Sequence, residues 1–585
     1  MGEVVMAEYR APTDEQLFVL ETVADLAGLA ALPGFEDATL ETAGHILAES
    51  ARLAEQGFAP LNAIGDHEGA RFADGKVTLP AGFAQAYRDY AAAGWNGLSA
   101  DPAHGGQGLP FVLSVAVQEQ FTAANMAFAL CPMLSLSAIE ALQAHGDAAM
   151  QALYLPHLIA GDWTGTMLLT EPQAGSDVGA LQSHVKPADD GSYRVFGQKI
   201  FITWGEHDLA ENIIHFVLAR LPDAPPGSKG ISLFLVPKYL PDADGRPGKR
   251  NDVKCVSIEH KMGIHASPTC TMMFGEEGDC VGWLVGERNG GLAAMFTMMN
   301  HARINVGNQG VAIAERAWQA ARAYANERIQ FGPIIEHPDV RRMLMTMSSL
   351  TQAARAIVYA NAAAVDRAHR EPDAEQRAYW KRRADLLTPI SKAWSTDIGI
   401  EVTSLAIQVH GGAGYIEETG VAQHYRDARI AAIYEGTNGI QAMDLAGRKL
   451  RLDNGAAMTE LEADMAADVS TWREGAGRTA MIAALETLAQ AREAMLAHDQ
   501  AGIGAAASPF LALCGGVIGG WLLGQQAERA AERVTAHDGD LIFLGSKLAA
   551  ADYFLIQRLP LALGQLNGVK SSPAMILINK DLLLS

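Results

Sequence analysis

Tyr434-Glu435-Gly436-Thr437 sets one carboxylate on a tight glycine turn with a hydroxyl beside it. Ala431-Ala432-Ile433 precedes the turn and Ile440 follows it, so its surroundings are mainly apolar. Such surroundings disfavour a charged carboxylate and raise its pKa toward the range in which a general base works. The chemistry that suits is removal of a weakly acidic proton. The same turn also reads as the N-terminal cap of a helix over 441–450, and taken alone it leaves both readings open.

A second segment, Met167-Leu168-Leu169-Thr170-Glu171-Pro172-Gln173-Ala174-Gly175-Ser176-Asp177, ends an apolar strand in small, hydroxyl-bearing and glycine positions. Backbone donors there can approach a planar ring, and Thr170 and Ser176 add hydroxyls. Lys199-Ile200-Phe201-Ile202-Thr203 follows. Neither GxGxxG nor GxxxxGK[ST] occurs in a strand-to-helix context, so a nucleotide site must rest on another scaffold than a Rossmann fold or P-loop. Glu327-Arg328-Ile329-Gln330-Phe331-Gly332 offers a guanidinium, whose fork suits phosphate, near an aromatic ring. Gln408-Val409-His410-Gly411-Gly412 adds a glycine-rich helix end.

Together these segments resemble the acyl-CoA dehydrogenase family. The resemblance implies FAD-dependent α,β-dehydrogenation of an acyl-CoA thioester, with Glu435 taking the α-proton and the β-hydride passing to flavin N5. It implies that Met167, Leu169 and Thr170 contact the isoalloxazine, that Phe201 packs beside it and that Thr203 reaches its N5 region. Ser176 belongs to the flavin and thioester site. Arg328 is expected at the pyrophosphate, Phe331 at the adenosine end, and Thr437 at the cofactor. Gln408 and Gly412 are expected at the adenine diphosphate portion of a neighbouring subunit's FAD, which implies a homodimer. Asn300, Arg303 and Tyr434, with Ser176, are the expected substrate contacts. Electron-transferring flavoprotein is the implied electron acceptor. Thr203-Trp204-Gly205-Glu206 departs from the family's usual sequence after Phe201.

Tyr9-Arg10-Ala11-Pro12, the loop Glu259-His260-Lys261-Met262-Gly263-Ile264-His265 and the run 434–450 look most like the branch acting on 3-(methylthio)propanoyl-CoA. That branch forms methylthioacryloyl-CoA during dimethylsulphoniopropionate degradation. A straight-chain acyl-CoA dehydrogenase for medium or long chains is the alternative, because long-chain members also carry a C-terminal helical extension. An alternative of another class is a flavin-containing, DNA-associated alkylation-response protein, which needs a basic C-terminal surface. The stretch after Leu452 holds more acids than bases.

The elements that must position these residues follow from pattern. Residues 1–165 are Ala- and Leu-rich with helical spacing, as in Leu40 to Leu53 and Phe111 to Gln143. Over 166–286 come short β-branched and aromatic runs separated by turns, the pattern of an antiparallel β domain. The two runs 193–196 and 200–203 read separately. Helical period returns over 287–455, and a further helical block fills 456–585 with breaks expected near Gly502 to Pro509 and Gly515 to Gly520. The fold class expected is mainly α with a middle β domain. The resemblance specifies it as an N-terminal helical domain, a β-barrel, a four-helix bundle carrying the base, and an additional C-terminal helical domain.

With 585 residues the chain exceeds one core, and its net charge of −22 repels nucleic-acid backbones. No nucleic-acid partner is expected. Five scattered cysteines without a CxxC pair argue for reduced thiols in a cytoplasmic compartment. The histidines show no HxxxH or HExxH spacing, so no metal site is expected. The opening residues lack a basic and apolar leader pattern, and Phe510 to Gly524 is shorter than the roughly 20 residues a membrane span needs, so it reads as buried helix.

Overall fold

The computed structural model describes residues 8–584, mostly helical with a sheet domain in the middle of the sequence. The chain forms two compact units, one of residues 49–302 and the other of 8–48 with 303–584.

In the first unit, Phe111–Ala124 and Met126–His145 are helices buried nearly all round. The stretch of helical spacing is divided at Asn125, which accepts through Oδ1 from Phe128 N at 3.1 Å and so caps the second helix. The sheet that follows comprises β1 (Trp163–Leu168), β2 (His184–Pro187), β3 (Tyr193–Thr203), β4 (Asn212–Arg220), β5 (Ile231–Pro237), β6 (Val253–Ile258), β7 (Thr269–Phe274) and β8 (Val281–Val285). The strand order is β6-β7-β3-β8-β5-β4-β1, and β2 pairs with both β3 and β4. Strands β3, β8, β5, β4 and β2 thereby close into a ring, the expected barrel.

Two expectations need correction. The sheet is not purely antiparallel: β1 lies parallel to β4, from Trp163 opposite Asn212 to Leu168 opposite Val217. The chain between them is long enough for the crossover that parallel pairing requires. The runs 193–196 and 200–203 are one eleven-residue strand, β3. Gly197 permits this at φ +139°, where a side chain would collide with Ser183 Oγ at 2.3 Å.

In the second unit the main helices are α1 (Thr13–Thr22), α2 (Gly291–Glu327, of which the part from 303 belongs here), α3 (Pro338–Arg370), α4 (Ala374–His410), α5 (Asn438–Met443), α6 (Gln500–Ala536) and α7 (Leu541–Tyr553). Helices α2 and α4 touch backbone to backbone. A Cβ on Gly310 would lie 2.2 Å from Ser395 O, and one on Gly307 2.5 Å from Ser391 O. A buried ionic network joins the opening helix to the end of the chain: Lys547 Nζ meets Glu15 Oε1 at 2.7 Å and Gln352 Oε1 at 2.7 Å, while Arg355 pairs with Glu315 at 2.8 Å. This explains why residues 8–48 pack with the bundle rather than with the helices that follow them in sequence.

The glycines of α6 do not break it. They are contact points: a Cβ on Gly515 would lie 2.4 Å from the Trp394 ring and one on Gly524 2.0 Å from the Trp472 ring. Helix α6 and Met126–His145 are long and apolar enough to cross a bilayer, but 67% and 89% of their apolar windows are buried in the protein. Among the described residues all five cysteines are buried free thiols.

Candidate active site

Glu435 sits in the left-handed region at φ +57°, and Gly436 follows at +84°. A bulky residue held there signals a surrounding structure that over-determines it. The anchors are visible. Arg303 on α2 donates through Nε to the Glu435 carbonyl at 3.3 Å, and Gln441 Nε2 on α5 donates to the same oxygen at 3.4 Å. Tyr434 OH bonds to Gln309 Oε1. The helix-cap alternative is answered by Thr437, whose Oγ1 accepts from Ile440 N at 3.2 Å; Thr437, not Glu435, caps α5. That helix ends at Met443 and runs on as a wider π turn, Asp444–Lys449, rather than as one helix over 441–450.

Burial raises the Glu435 pKa, with the positive charges of Arg303 and then Lys392 pulling the other way. Arg303 is itself buried, which lowers its pKa against the opposing pull of Asp444 and Glu435. The arrangement can take up a proton without gaining a buried charge. Lys392 and Asn438 were not singled out in the sequence. Lys392 Nζ donates to Asn438 Oδ1 at 2.9 Å, three residues beyond Glu435. A lysine inside the apolar run of α4 was the signal available.

Elsewhere in the same unit, Arg328 and Phe331 are exposed just beyond the end of α2, Phe331 fully and at φ +58°. Gln408 and Gly412 are exposed at the end of α4. The rings of Tyr324 and His410 stack at 4.3 Å, so these two helix ends are neighbours and bring the four residues to one end of the bundle.

In the barrel unit Met167 is buried in β1, Leu169 and Thr170 are half-buried just after it, and Ser176 is exposed on the loop. Thr170 O accepts from Ile200 N at 2.9 Å, which ties the loop to β3. Phe201 is 58% exposed at φ +58°, and the half-buried Thr203 accepts through its carbonyl from Thr166 Oγ1 at 3.0 Å. After it, Trp204 turns inward at φ +55° and is buried. Asn300 is half-buried on the part of α2 that belongs to this unit. His265 is a loop residue with ring nitrogens against Asp66 O at 2.8 Å and Lys261 O at 3.0 Å.

The sequence reading missed what holds this loop. Glu171 pairs with Lys199 at 2.7 Å, both buried, and accepts from Gln182 N at 2.7 Å and Ser183 N at 3.0 Å. Burial opposes the Glu171 charge, but Lys199 and these donors outweigh it and hold the carboxylate at about 2. Burial dominates at Lys199 despite its partner and takes it to about 8.

Each of these surfaces, taken by itself, is open where FAD would need room. A Cβ at Gly175 would meet nothing within 4 Å, leaving room beside Thr170, Ser176 and the exposed Phe201 ring. Gly332, Gly411 and Gly412 are equally open beside Arg328 and Phe331.

Residues 45–162, 166–276 and 289–450 match the N-terminal, middle and C-terminal domains of acyl-CoA dehydrogenase, and 458–577 match an acetyl-CoA dehydrogenase C-terminal-like domain. The chain is 46% identical to 3-methylmercaptopropionyl-CoA dehydrogenase of Ruegeria pomeroyi over 94% of its own length and 96% of that protein's. The chain belongs to the acyl-CoA dehydrogenase family. It is also 35% identical to a butyryl-CoA dehydrogenase of Syntrophomonas wolfei, over 87% of this chain and 88% of that one. An acyl-CoA dehydrogenase from Bacillus anthracis, solved with FAD, shares the fold at a TM-score of 0.70 and 20% identity, covering 100% of this chain and 93% of that one. The protein is therefore an FAD-dependent oxidoreductase acting on an acyl-CoA thioester, in a family whose members pair with electron-transfer flavoprotein.

Proposed function

We propose that this acyl-CoA dehydrogenase acts on 3-(methylthio)propanoyl-CoA, giving methylthioacryloyl-CoA in dimethylsulphoniopropionate degradation. The observation that carries the substrate is the 46% identity, across nearly the whole of both chains, to an enzyme named for it. Glu435 is the base. An α-proton beside a thioester is weakly acidic, so the base must be placed against it in low dielectric and the developing enolate oxygen must meet a donor. The strained turn places the carboxylate, and the Glu435 backbone N–H is that donor. Burial then favours the neutral acid that results.

On the barrel unit Met167, Leu169, Thr170, Ser176, Phe201 and Thr203 would hold FAD, and on the bundle unit Arg328, Phe331 and Thr437, while Gln408 and Gly412 would reach the FAD of a neighbouring subunit. When bound, FAD supplies a two-electron acceptor for the hydrogen lost from Cβ. Arg303, Tyr434, Asn300 and Ser176 orient the thioester. Electron-transferring flavoprotein reoxidises the enzyme. The protein works as a cytoplasmic homodimer, a reading supported by its buried free thiols and by the exposure of Gln408, Gly412 and Arg328. Light scattering of the flavin-loaded protein should give twice the chain mass of 62.3 kDa.

A turnover panel with purified holoenzyme and a dye acceptor tests the substrate. The kcat/KM for 3-(methylthio)propanoyl-CoA should at least equal that for butyryl-CoA and clearly exceed that for palmitoyl-CoA. A preference for butyryl-CoA would favour the straight-chain reading that the Syntrophomonas wolfei relative supports, and a preference for palmitoyl-CoA would overturn the short-chain assignment.

A further inference from the structure

Lys392 is fully buried on α4, in a helix whose neighbour α2 lies against it at the glycine contacts. Its ammonium is not idle. Nζ donates to Asn438 Oδ1 at 2.9 Å, and Asn438 Nδ2 reaches Ala393 O at 3.1 Å, Thr396 Oγ1 at 3.0 Å and Asp397 Oδ1 at 2.7 Å. Asn438 is the first residue of α5, next to the cap Thr437 and three residues from Glu435. One end of the Glu435 turn is thus tied to α2 through Arg303 and Gln309, and the other to α4 through Asn438.

We propose that Lys392 is a positioning residue for the base: it fixes Asn438, and with it the Glu435 turn, and supplies positive charge beside the Glu435 carboxylate. This rests on the reading of Glu435 as the base. The charged groups that bear on the pair are Arg303 from α2, Asp397 from α4 itself, and Asp444 and Arg448 beyond α5, which act on Arg303; Arg429 acts on Asp397. Burial draws the Lys392 pKa down to about 7, against the pull of Glu435 and Asp397, so it carries its charge on the acid side of neutrality. Loss of that charge makes the Glu435 carboxylate more basic.

The test compares Lys392→Met, Lys392→Arg, Asn438→Ala and Glu435→Gln holoenzymes, each checked for FAD content and thermal midpoint. Lys392→Met should move the acid limb of the kcat/KM pH profile upward by about half a unit or more, because a neighbouring cation no longer favours the carboxylate. Lys392→Arg should keep the limb near its wild-type position. Asn438→Ala keeps the lysine but removes the acceptor that fixes its ammonium and loosens the turn, so kcat should fall by about tenfold with KM little changed. An unmoved limb in Lys392→Met, the same shift in Lys392→Arg, or a normal kcat in Asn438→Ala would overturn the proposal. If Lys392→Met does not fold, the kcat of Asn438→Ala decides. A Glu435→Gln variant that still turns over would instead overturn the base assignment, whatever the other variants show.

Discussion

Arg303 Nε and the Glu435 carbonyl lie 3.3 Å apart, so the guanidinium holds the backbone of the base rather than its carboxylate. The distinction matters chemically. A bidentate pair with the carboxylate would lower its pKa and make it a poor base. A bond to the main chain positions the side chain while the positive charge acts only from a distance, and burial still raises the Glu435 pKa.

Glu435→Gln keeps the size of the side chain and removes its ability to accept a proton. Removing a positioned base costs roughly 10²–10⁴ in rate, and this variant should lie near the upper value. The protein should fold, retain FAD and bind acyl-CoA, because Arg303 and Gln441 grip the backbone. Stopped-flow flavin absorbance on adding substrate measures it; reduction at the wild-type rate would return Glu435 to a purely structural role.

Only ionised Glu435 can take the proton, and its pKa is raised by burial. Activity should therefore fall as pH drops through a value above the ordinary glutamate figure of about 4.3. The kcat/KM profile should show an acid limb above that value and lose it in Glu435→Gln. A limb at or below it would mean that the half-buried setting does not tune this carboxylate.

Much of the fold was legible, and candidate site residues could be named, because both are written in local pattern. The Glu435 turn, the loop from Thr170 and the ends of α2 and α4 each carry glycine and polar punctuation against an apolar background. What escaped was long-range. The parallel pairing of β1 with β4 depends on a crossover, not on residue alternation. The glycines of α6 read as breakers because their partners, Trp394 and Trp472, are distant in sequence. Lys199 and Lys392 looked like ordinary lysines until Glu171 and Asn438 were placed against them.

The Glu171–Lys199 pair should be a structural keystone of the Thr170 loop. Glu171→Gln strands a buried ammonium, a change that costs on the order of 3 kcal/mol. The native carboxylate is held at about 2, below its unfolded value of about 4.3. Its stabilisation is complete above the unfolded pKa and disappears as pH falls from there toward 2. Urea unfolding of the barrel unit, followed by tryptophan fluorescence at pH 7 and pH 3, should show a large deficit for Glu171→Gln at pH 7 that narrows at pH 3. Equal deficits at both values would contradict an ionised Glu171.

Gly436→Ala tests whether the geometry of the turn, apart from any charge, limits catalysis. Gly436 has φ +84°, where an L side chain costs roughly 1–2 kcal/mol. An added Cβ would also stand 2.7 Å from Gln441 Nε2, the group that donates to the Glu435 and Gly436 carbonyls. The turn must yield and the carboxylate must move with it. A displacement of about 1 Å can cost 10²-fold, so kcat should fall by about that factor while KM and FAD content change little. Gln441→Ala removes the obstructing amide but also one of the two donors to Glu435, so it should be impaired by a smaller factor. Adding it to Gly436→Ala should recover only the part of the loss that comes from the clash. If Gly436→Ala alone keeps a normal kcat, the base does not depend on the left-handed turn, and the strain at Glu435 is incidental to its chemistry.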